Sequence, residues 1–273
     1  MRPPSDGDRG PSSHHARPPE RVAWDHRPLR PLTHPRLPLR IVSLVPSATE
    51  TLVAWGHPPV ACTRFCEQPR LSPVGGTKDP DVERITGLAP DLVVMDAEEN
   101  RREDHDALVR RGVPVHVLHI RSVADVDAGM GQLADTVGAV WRPLVLPPAA
   151  RVQTTAFVPI WRRPWMALGC PTYGASLLAH LGVSSVYADD GPYPTVSLDE
   201  AAARRPDVVL APSEPYPFTA RQLPELRTVG PTVLVDGKDL FWWGARTEAA
   251  LGRLAERLLE VHRTTGPDRV AGG

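Results

Sequence analysis

The chain has 273 residues, with 31 Lys and Arg against 32 Asp and Glu, so its formal net charge is −1. That balance gives no reason to expect a nucleic acid or an anionic membrane as partner. Apolar residues make up 41% of the chain, and no apolar run approaches the roughly 20 residues that span a bilayer. The composition therefore indicates a globular protein with one large or two modest domains.

The first 38 residues are rich in Pro, Arg and His and contain few large apolar side chains. Such a segment buries too little to offset its chain entropy, so we expect disorder over 1–38 and again over 266–273. It also lacks the apolar core of roughly 7–15 residues that a secretory signal needs. Three cysteines, an odd number, show no disulfide pattern. Together these features predict a cytoplasmic protein.

From residue 39 onward, short β-branched runs alternate with helical stretches. A strand over 40–45 leads to a helix from Thr49 that Gly56 can end. A later helix has Asp79 as its candidate N-cap and Pro80 in its first position. Further strands are predicted over 59–65, 90–96 and 113–120, and further helices over 102–112 and 122–139. Strands separated by helices imply a parallel sheet covered on both faces.

The second half repeats this plan. Strands are predicted over 152–161, 206–212 and 230–237, and helices over 172–182, 197–205 and 246–263. The helix over 197–205 begins with an S-x-x-E capping box formed by Ser197 and Glu200.

An internal echo favours two similar lobes. Glu83 and Glu200 each begin a short helix followed by Pro-Asp, four apolar residues and an acidic loop. The echo can also arise because helix-Pro-Asp-strand is a common α/β pattern. We predict an α/β fold of two Rossmann-like lobes with parallel sheets, over 39–121 and 151–265, joined by a helix and loop over 122–150. Two such lobes usually hold a ligand between them, at the carboxyl ends of the strands.

Three stretches carry a family resemblance: RIVSLVPSATETLVAWG, VGGTKDPDVERITGLAPDLVV and YPTVSLDEAAARRPDVVLAPSEPYPF. Over about 39–262 the chain resembles the ABC-transporter substrate-binding proteins for cobalamin and ferric siderophores, and within them a bacterial subgroup without signal peptides, the helical-backbone metal receptors. The resemblance implies two α/β lobes, a long linking helix and a ligand in the cleft between the lobes. This chain departs from it, because its helical pattern ends near Ala139 and a Pro-rich segment follows. A shortened linker would alter how the lobes are set.

Ser47, Ala48 and Thr49 lie between the first strand and the first helix, where a cleft-facing turn would form. Their backbone N–H groups and hydroxyls could bind a carboxylate, amide or phosphate. The alternative is that Ser47 or Thr49 serves as the helix N-cap, and both roles can hold together.

Aromatic residues make up only 5% of the chain, and most follow a predicted strand. A flat ligand such as a corrin ring would suit walls of this kind. The alternative is that single rings merely pack the lobe edges. The resemblance aligns Phe65, Trp165, Tyr193 and the Asp239–Trp243 loop with positions that line the cobalamin cleft. The aromatic candidates for such walls are Phe65, Trp161, Trp165, Tyr193, Tyr216, Phe218, Phe241, Trp242 and Trp243.

A charged loop follows the third strand, from Glu98 to Arg102. Glu99 and Asn100 are candidate ligand contacts, and Arg101 or Arg102 could hold an acidic ligand bidentately. The alternative is a solvated helix start with acidic residues favoured by its dipole. Other possible anion partners are Arg64, Arg162, Arg163 and Arg246.

The family resemblance also implies that Glu83 and Glu200 match glutamates that dock against the transporter's membrane subunits. For Glu200, the capping box is a sufficient alternative.

No catalytic motif or zinc-ligand set is present: the sequence has no G-x-S-x-G, P-loop, Rossmann fingerprint or H-E-x-x-H, and Cys62-x-x-x-Cys66 has no matching pair. The sequence therefore predicts a monomeric, non-enzymatic binding protein. Its ligand is a corrinoid or an iron chelate, and it has no intrinsic cofactor. The alternatives are an enzyme or chaperone in cobalamin or metal-chelate handling, and an intracellular ligand sensor.

Overall fold

The computed structural model describes residues 38–151 and 153–265, which form two four-stranded parallel sheets and a two-stranded hairpin. The first sheet has the order β2-β1-β3-β4. Its elements are β1 (Ile41–Ser43), α1 (Pro46–Ala54), β2 (Ala61–Cys62), α2 (Val82–Gly87), β3 (Leu92–Asp96), α3 (Arg102–Arg110) and β4 (Val115–Leu118).

Helix α4 (Val123–Val137) follows the first sheet, and a segment without regular structure leads to the second lobe. The second sheet has the order β10-β9-β5-β8, and β6 and β7 form the antiparallel hairpin. The elements are β5 (Thr154–Phe157), β6 (Pro159–Arg162), β7 (Trp165–Ala167), α5 (Tyr173–His180), β8 (Val183–Ser185), α6 (Leu198–Ala203), β9 (Val208–Pro212), α7 (Leu223–Leu226), β10 (Thr232–Val235), α8 (Gly237–Phe241) and α9 (Thr247–Thr265).

The echo in the sequence is a structural repeat. Reading β2-β1-β3-β4 against β8-β5-β9-β10 gives the same connectivity in both lobes. The Pro-Asp pair before the third strand has one role in each: Asp91 accepts the Arg40 N–H at 2.8 Å, and Asp207 accepts the Thr155 N–H at 2.7 Å. Ala89 and Arg205, two residues before each aspartate, both adopt positive φ. The predicted fold class, two α/β lobes with parallel sheets, is confirmed.

A single hydrophobic core runs through both lobes. It joins one face of the first sheet, α1 and α4 to one face of the second sheet, α5 and α9. Two smaller clusters cover the outer faces, one beneath α2 and α3 and one beneath α6 and α7. Because α4 contributes Val126, Met130 and Leu133 to the shared core, the short linking helix is an internal element of both lobes.

The Pro-rich segment after α4 is tied down by polar contacts. Asp127 accepts hydrogen bonds from the Trp141 indole and from the Leu144 N–H, each at 2.9 Å. The Trp141 ring also meets Trp55 edge-on, with centroids 5.9 Å apart. Helix α4 has 15 residues and is about 22 Å long. Because Asp127 lies near its start and Trp141 follows its end, the segment runs back along the helix toward β5.

An ion network, which we call the seam, joins α1 to the end of the second lobe. The Arg246 guanidinium donates to both carboxylate oxygens of Glu50, at 2.7 and 3.0 Å, and to Asp239 at 3.0 Å. Asp239 also accepts two hydrogen bonds from Arg253. Gly244 allows the close approach, because a Cβ there would lie 2.3 Å from the Thr51 hydroxyl.

Several predicted boundaries are corrected. Helix α1 begins at Pro46, not at Thr49, and its N-cap is Val45, so neither Ser47 nor Thr49 caps it. The N-cap of α2 is Asp81, which accepts the Arg84 N–H, whereas the predicted Asp79 pairs with Arg64. Elements β7, β8, α7 and α8 were not predicted. The capping box of α6 is confirmed. The predicted tails lie outside the described residues, apart from Pro38, and the predicted domain boundaries stay a prediction.

Candidate ligand-binding site between the lobes

Two polar contacts cross between the lobes where the strands of both sheets end. The Tyr193 hydroxyl donates to Glu98 at 3.2 Å, and Glu98 follows β3. The Lys238 ammonium, in α8, donates to Glu67 at 2.5 Å, and Glu67 lies in the turn after β2. These contacts bracket the region at the carboxyl ends of the parallel strands, which we call the cleft.

The first lobe brings carboxyl groups to the cleft. Burial raises the pKa of Asp96 to about 7 and that of Glu99 to about 8, and the neighbouring Asp96 charge adds to the rise at Glu99. Burial also raises the pKa of Glu98 and, on the second lobe, of Glu214. Near neutral pH Asp96 and Glu99 are therefore only partly ionised.

The tight turn after β3 holds these carboxyl groups in place. Asp96 accepts the N–H groups of Glu98 and Glu99 at 2.8 and 3.2 Å. Both amide protons of Asn100 are used inside the lobe, by the carbonyls of Leu44 and Thr77, and its amide oxygen accepts the Asp96 N–H. Asn100 was predicted as a ligand contact; in this structure its amide fastens the turn, and Glu98 and Glu99 project from it.

The second lobe brings aromatic rings. Trp165 stacks on Phe218 with centroids 6.0 Å apart and planes 6° apart. Tyr216 packs against Phe218 at 4.7 Å and meets Trp161 edge-on at 5.7 Å. Tyr193 remains 41% exposed despite its bond to Glu98. The hairpin and the loop after β9 thus form an aromatic wall of Trp161, Trp165 and Tyr216, in which Trp165 and Tyr216 pack on the buried Phe218.

Phe65 is the aromatic contribution of the first lobe. Its side chain is 50% exposed, and it lies next to Glu67, which pairs with Lys238 of the opposite lobe. Sequence reasoning missed Glu67, Lys78, Glu214 and Lys238. Each follows a strand or opens a helix at the cleft, but exposed charges of this kind are too common to be singled out from sequence alone.

Other predicted site residues are buried away from solvent. Ser47, Ala48 and Thr49 have no exposed surface, so any ligand contact at this turn requires the lobes to move. Asp239 is taken up by Arg246 and Arg253, and Trp243 packs in the shared core. Trp242 is 8% exposed, with the Arg246 guanidinium 5.3 Å from its ring centroid.

The candidate anion-binding arginines mostly have partners within the chain. Arg64 pairs with Asp79, Arg101 with Asp104, Arg102 with Asp106, Arg162 with Glu225, and Arg246 with Glu50 and Asp239. Binding an acidic ligand through one of these guanidinium groups would therefore require that pair to break.

Glu83 and Glu200 occupy equivalent first turns in the two lobes, in α2 and α6, and both are exposed. The Glu200 carboxylate accepts the N–H and hydroxyl of Ser197, which lowers its pKa. Among residues 38–151 and 153–265, no three His, Cys, Asp or Glu side chains gather as a metal site would require. None of the helices in these ranges is long and apolar enough to cross a membrane.

Comparison with known proteins agrees with this architecture. The family model of the periplasmic binding proteins matches residues 41–140. The vitamin B12-binding protein of Pectobacterium carotovorum subsp. carotovorum (strain PC1) is 23% identical over 203 residues, or 66% of this chain and 73% of that protein. Its counterpart in Salmonella paratyphi A is 24% identical over 194 residues, covering 63% and 71%. The chain is thus similar to the periplasmic binding proteins over residues 41–140 and to these B12-binding relatives over about two thirds of its length.

Solved structures of this family share the fold. The periplasmic vitamin B12-binding protein BtuF of Vibrio cholerae superposes with a TM-score of 0.67 at 19% identity, covering 82% of this chain and 98% of that one. The periplasmic heme-binding protein BhuT, solved with two hemes, gives 0.66 at 20% identity, covering 81% and 98%. The comparisons therefore agree with the family resemblance of the three sequence stretches, and the solved structures share the fold.

Proposed function

We propose that this chain is a solute-binding protein that holds a corrinoid, or a related flat metal chelate, between its two lobes. The observation that carries this proposal is the pair of cross-lobe contacts, Glu98–Tyr193 and Glu67–Lys238. They set exposed aromatic rings beside partly protonated carboxyl groups at the carboxyl ends of both sheets. The names of the B12-binding and heme-binding relatives support the same class of ligand.

The chemistry of the cleft favours a corrinoid over a heme. A corrin ring bears amide side chains, whose N–H groups can donate to Glu98, Glu99 and Glu214. A heme instead carries propionates, which these carboxyl groups would repel once ionised. Most of the arginines that could offset this repulsion are paired with other carboxylates, as described above. The aromatic wall supplies the apolar surface on which either ring would lie.

Glu83 and Glu200 support a second part of the proposal, that the loaded protein docks on the membrane subunits of an ABC transporter. Both glutamates are exposed at matching places on the two lobes, as a pseudo-symmetric partner would require. Family and fold are those of binding proteins, and no observation at the cleft favours the enzyme, chaperone or sensor alternatives.

The test is a titration of the full-length chain with aquocobalamin and, separately, with hemin. We expect saturable one-to-one binding of aquocobalamin, followed by tryptophan quenching and by the mass of the complex under native conditions. Hemin should bind at least tenfold more weakly, about 1.4 kcal/mol. Trp141→Phe is the matched control: it removes a tryptophan packed beside the linker, so the quenching amplitude changes while affinity does not. If neither ligand binds, the proposal is wrong; if hemin binds more tightly, the carboxyl argument is wrong.

A further inference from the structure

The turn after β2 surrounds one sulfur atom with hydrogen-bonding groups. The Thr63 hydroxyl lies 3.1 Å from Cys66 Sγ, and the Thr49 hydroxyl of α1 lies 3.2 Å from it. The Cys62 side chain also hydrogen-bonds to Cys66. Cys62 and Cys66 are 2% and 3% exposed, whereas the third cysteine, Cys170, is exposed.

This arrangement stabilises a thiolate on Cys66. The hydrogen bond from Cys62, joined by those of Thr49 and Thr63, lowers the pKa of Cys66 to about 6, against the opposing effect of burial. The pKa of Cys62 is raised, because its proton is held in the bond to Cys66. The two sulfurs thus share one proton near neutral pH, and a thiolate is the reactive form of cysteine.

The Thr49 hydroxyl can follow the charge on Cys66. It has one proton and two acceptors in reach, the Val45 carbonyl at 2.9 Å and Cys66 Sγ at 3.2 Å. When Cys66 is a thiol, the proton can remain on the helix carbonyl. When Cys66 is a thiolate, the Thr49 hydroxyl can rotate and donate its proton to Sγ. The negative charge on sulfur is then stabilised without movement of the backbone.

We propose that Cys62 and Cys66 are a peroxide-reactive pair, with Cys66 as the nucleophile and Cys62 as the resolving thiol. A buried pair whose only role is packing needs no hydroxyls on its sulfur. A metal site is the other use of such a pair, but among the described residues no third ligand joins them. Both sulfurs are almost fully buried although the neighbouring Phe65 is exposed, so the proposed oxidant is a small one such as hydrogen peroxide. This inference does not depend on the proposed ligand.

The reaction balances with one hydroperoxide as oxidant. The Cys66 thiolate attacks one peroxide oxygen, the S–O bond forms, the O–O bond breaks, and the leaving oxygen takes a proton. Cys62 then attacks the sulfenic sulfur, forming the S–S bond. The S–O bond breaks, and the hydroxide leaves as water with the Cys62 proton. The two sulfurs together lose two electrons, and the peroxide gains them.

Trypsin can report the product directly, because Arg64 lies between the two cysteines. In a full-length Cys170→Ser background, treatment with hydrogen peroxide should link the peptide of residues 41–64 to that of residues 65–70. The intact mass should fall by two hydrogens, and neither thiol should then accept N-ethylmaleimide after the chain is unfolded in denaturant. In Cys62→Ser, Cys66 should stop at a sulfenic acid, which dimedone traps once the oxidised chain is unfolded.

The role of the hydroxyls is tested by the pH dependence of the rate at which hydrogen peroxide links the two peptides in folded protein. In the wild-type turn the rate should rise through a midpoint near pH 6, following the thiolate fraction. Thr49→Val and Thr63→Val should move that midpoint upward, whereas Thr49→Ser, which keeps the hydroxyl, should not. The proposal is overturned if peroxide yields no linked peptides, or if neither thiol reacts before the chain unfolds.

Discussion

The loops after the third strand of each sheet occupy equivalent places but present different chemistry to the cleft. After β3, Asp96 and Asn100 fold a tight turn that projects Glu98 and Glu99. After β9, Pro215 follows Glu214, and Tyr216 joins the aromatic wall. The two lobes share their connectivity and the hydrogen bonds that Asp91 and Asp207 accept from backbone N–H groups, whereas these loops differ.

This difference assigns separate tasks to the two faces of the cleft. Carboxyl groups discriminate by charge and hydrogen bonding, because an unpaired polar group costs free energy on binding. Aromatic rings instead supply area with little polar discrimination. In the proposed function, the first lobe therefore selects the ligand's substituents and the second lobe holds its ring. Variants that change one face of the cleft at a time test this division.

The largest effect on stability should come from breaking the seam, the ion network that joins the two lobes. Arg246→Met leaves Glu50 and Asp239 without their shared partner in a largely buried position, and should cost about 3 kcal/mol of unfolding free energy. Chemical denaturation measures this. Arg257→Met is the control, since its pair with Glu260 is exposed and contributes little. Equal losses in the two variants would show that the seam does not join the lobes energetically.

The aromatic face should lose affinity without losing stability. Tyr193 is 41% exposed, so Tyr193→Ala should weaken aquocobalamin binding roughly thirtyfold, about 2 kcal/mol, at a near-normal melting temperature. Tyr193→Phe keeps the ring but loses the bond to Glu98, and separates the two contributions.

Trp242 provides the contrast, because it is buried beside Arg246. Trp242→Ala should mainly lower the melting temperature, in contrast to Tyr193→Ala. A Tyr193→Ala variant that melts early with unchanged affinity would place this ring outside the site.

Much of this fold could be predicted from local signals. Period-2 and helical patterns, the Ser197–Glu200 capping box and the repeated Pro-Asp pairs are local, and the structure has strands and helices where they occur. The start of α1 was missed because its N-cap residue, Val45, makes no side-chain capping bond and Pro46 follows it. No polar residue therefore indicates where the helix begins. The short strand β8 was missed because its three residues carry too little pattern.

The site was harder to predict, because its geometry depends on long-range contacts. Glu67 meets Lys238 across 171 residues of sequence, and nothing near either residue signals the pairing. The family resemblance aligned Asp239 and Trp243 with a loop that lines the cleft. In this structure Asp239 instead pairs with Arg246 and Arg253, and Trp243 packs in the shared core. Thr49 illustrates the limit most clearly, since its partner Cys66 lies in another element.

A smaller effect is expected from the carboxyl face, as a dependence of stability on pH. Burial raises the pKa of Glu99 from 4.5 to about 8, so between these values the folded chain retains a proton that the unfolded chain has released. Stability from this group is complete below pH 4.5 and is lost as pH rises toward 8. Glu99→Gln should therefore flatten the fall in melting temperature across this range. An unchanged slope would assign the pH dependence to Asp96 or to other groups.

The smallest effect concerns Glu200, where the two lobes have matching glutamates in different settings. Glu200→Ala removes the capping box of α6 and should lower the melting temperature by roughly 2–4 °C. Glu200→Gln keeps a residue that can complete the box, so its melting temperature should stay near that of the native chain while the charge is lost. Glu83 has no such box, since Asp81 caps α2, so Glu83→Ala and Glu83→Gln should melt alike. Calorimetry of the four variants compares them directly.

Aquocobalamin affinity should be unchanged in all four, because neither glutamate takes part in the cross-lobe contacts that bracket the cleft. A loss of affinity in the glutamine variants would place these glutamates at the ligand and remove the argument that they are free to dock a partner.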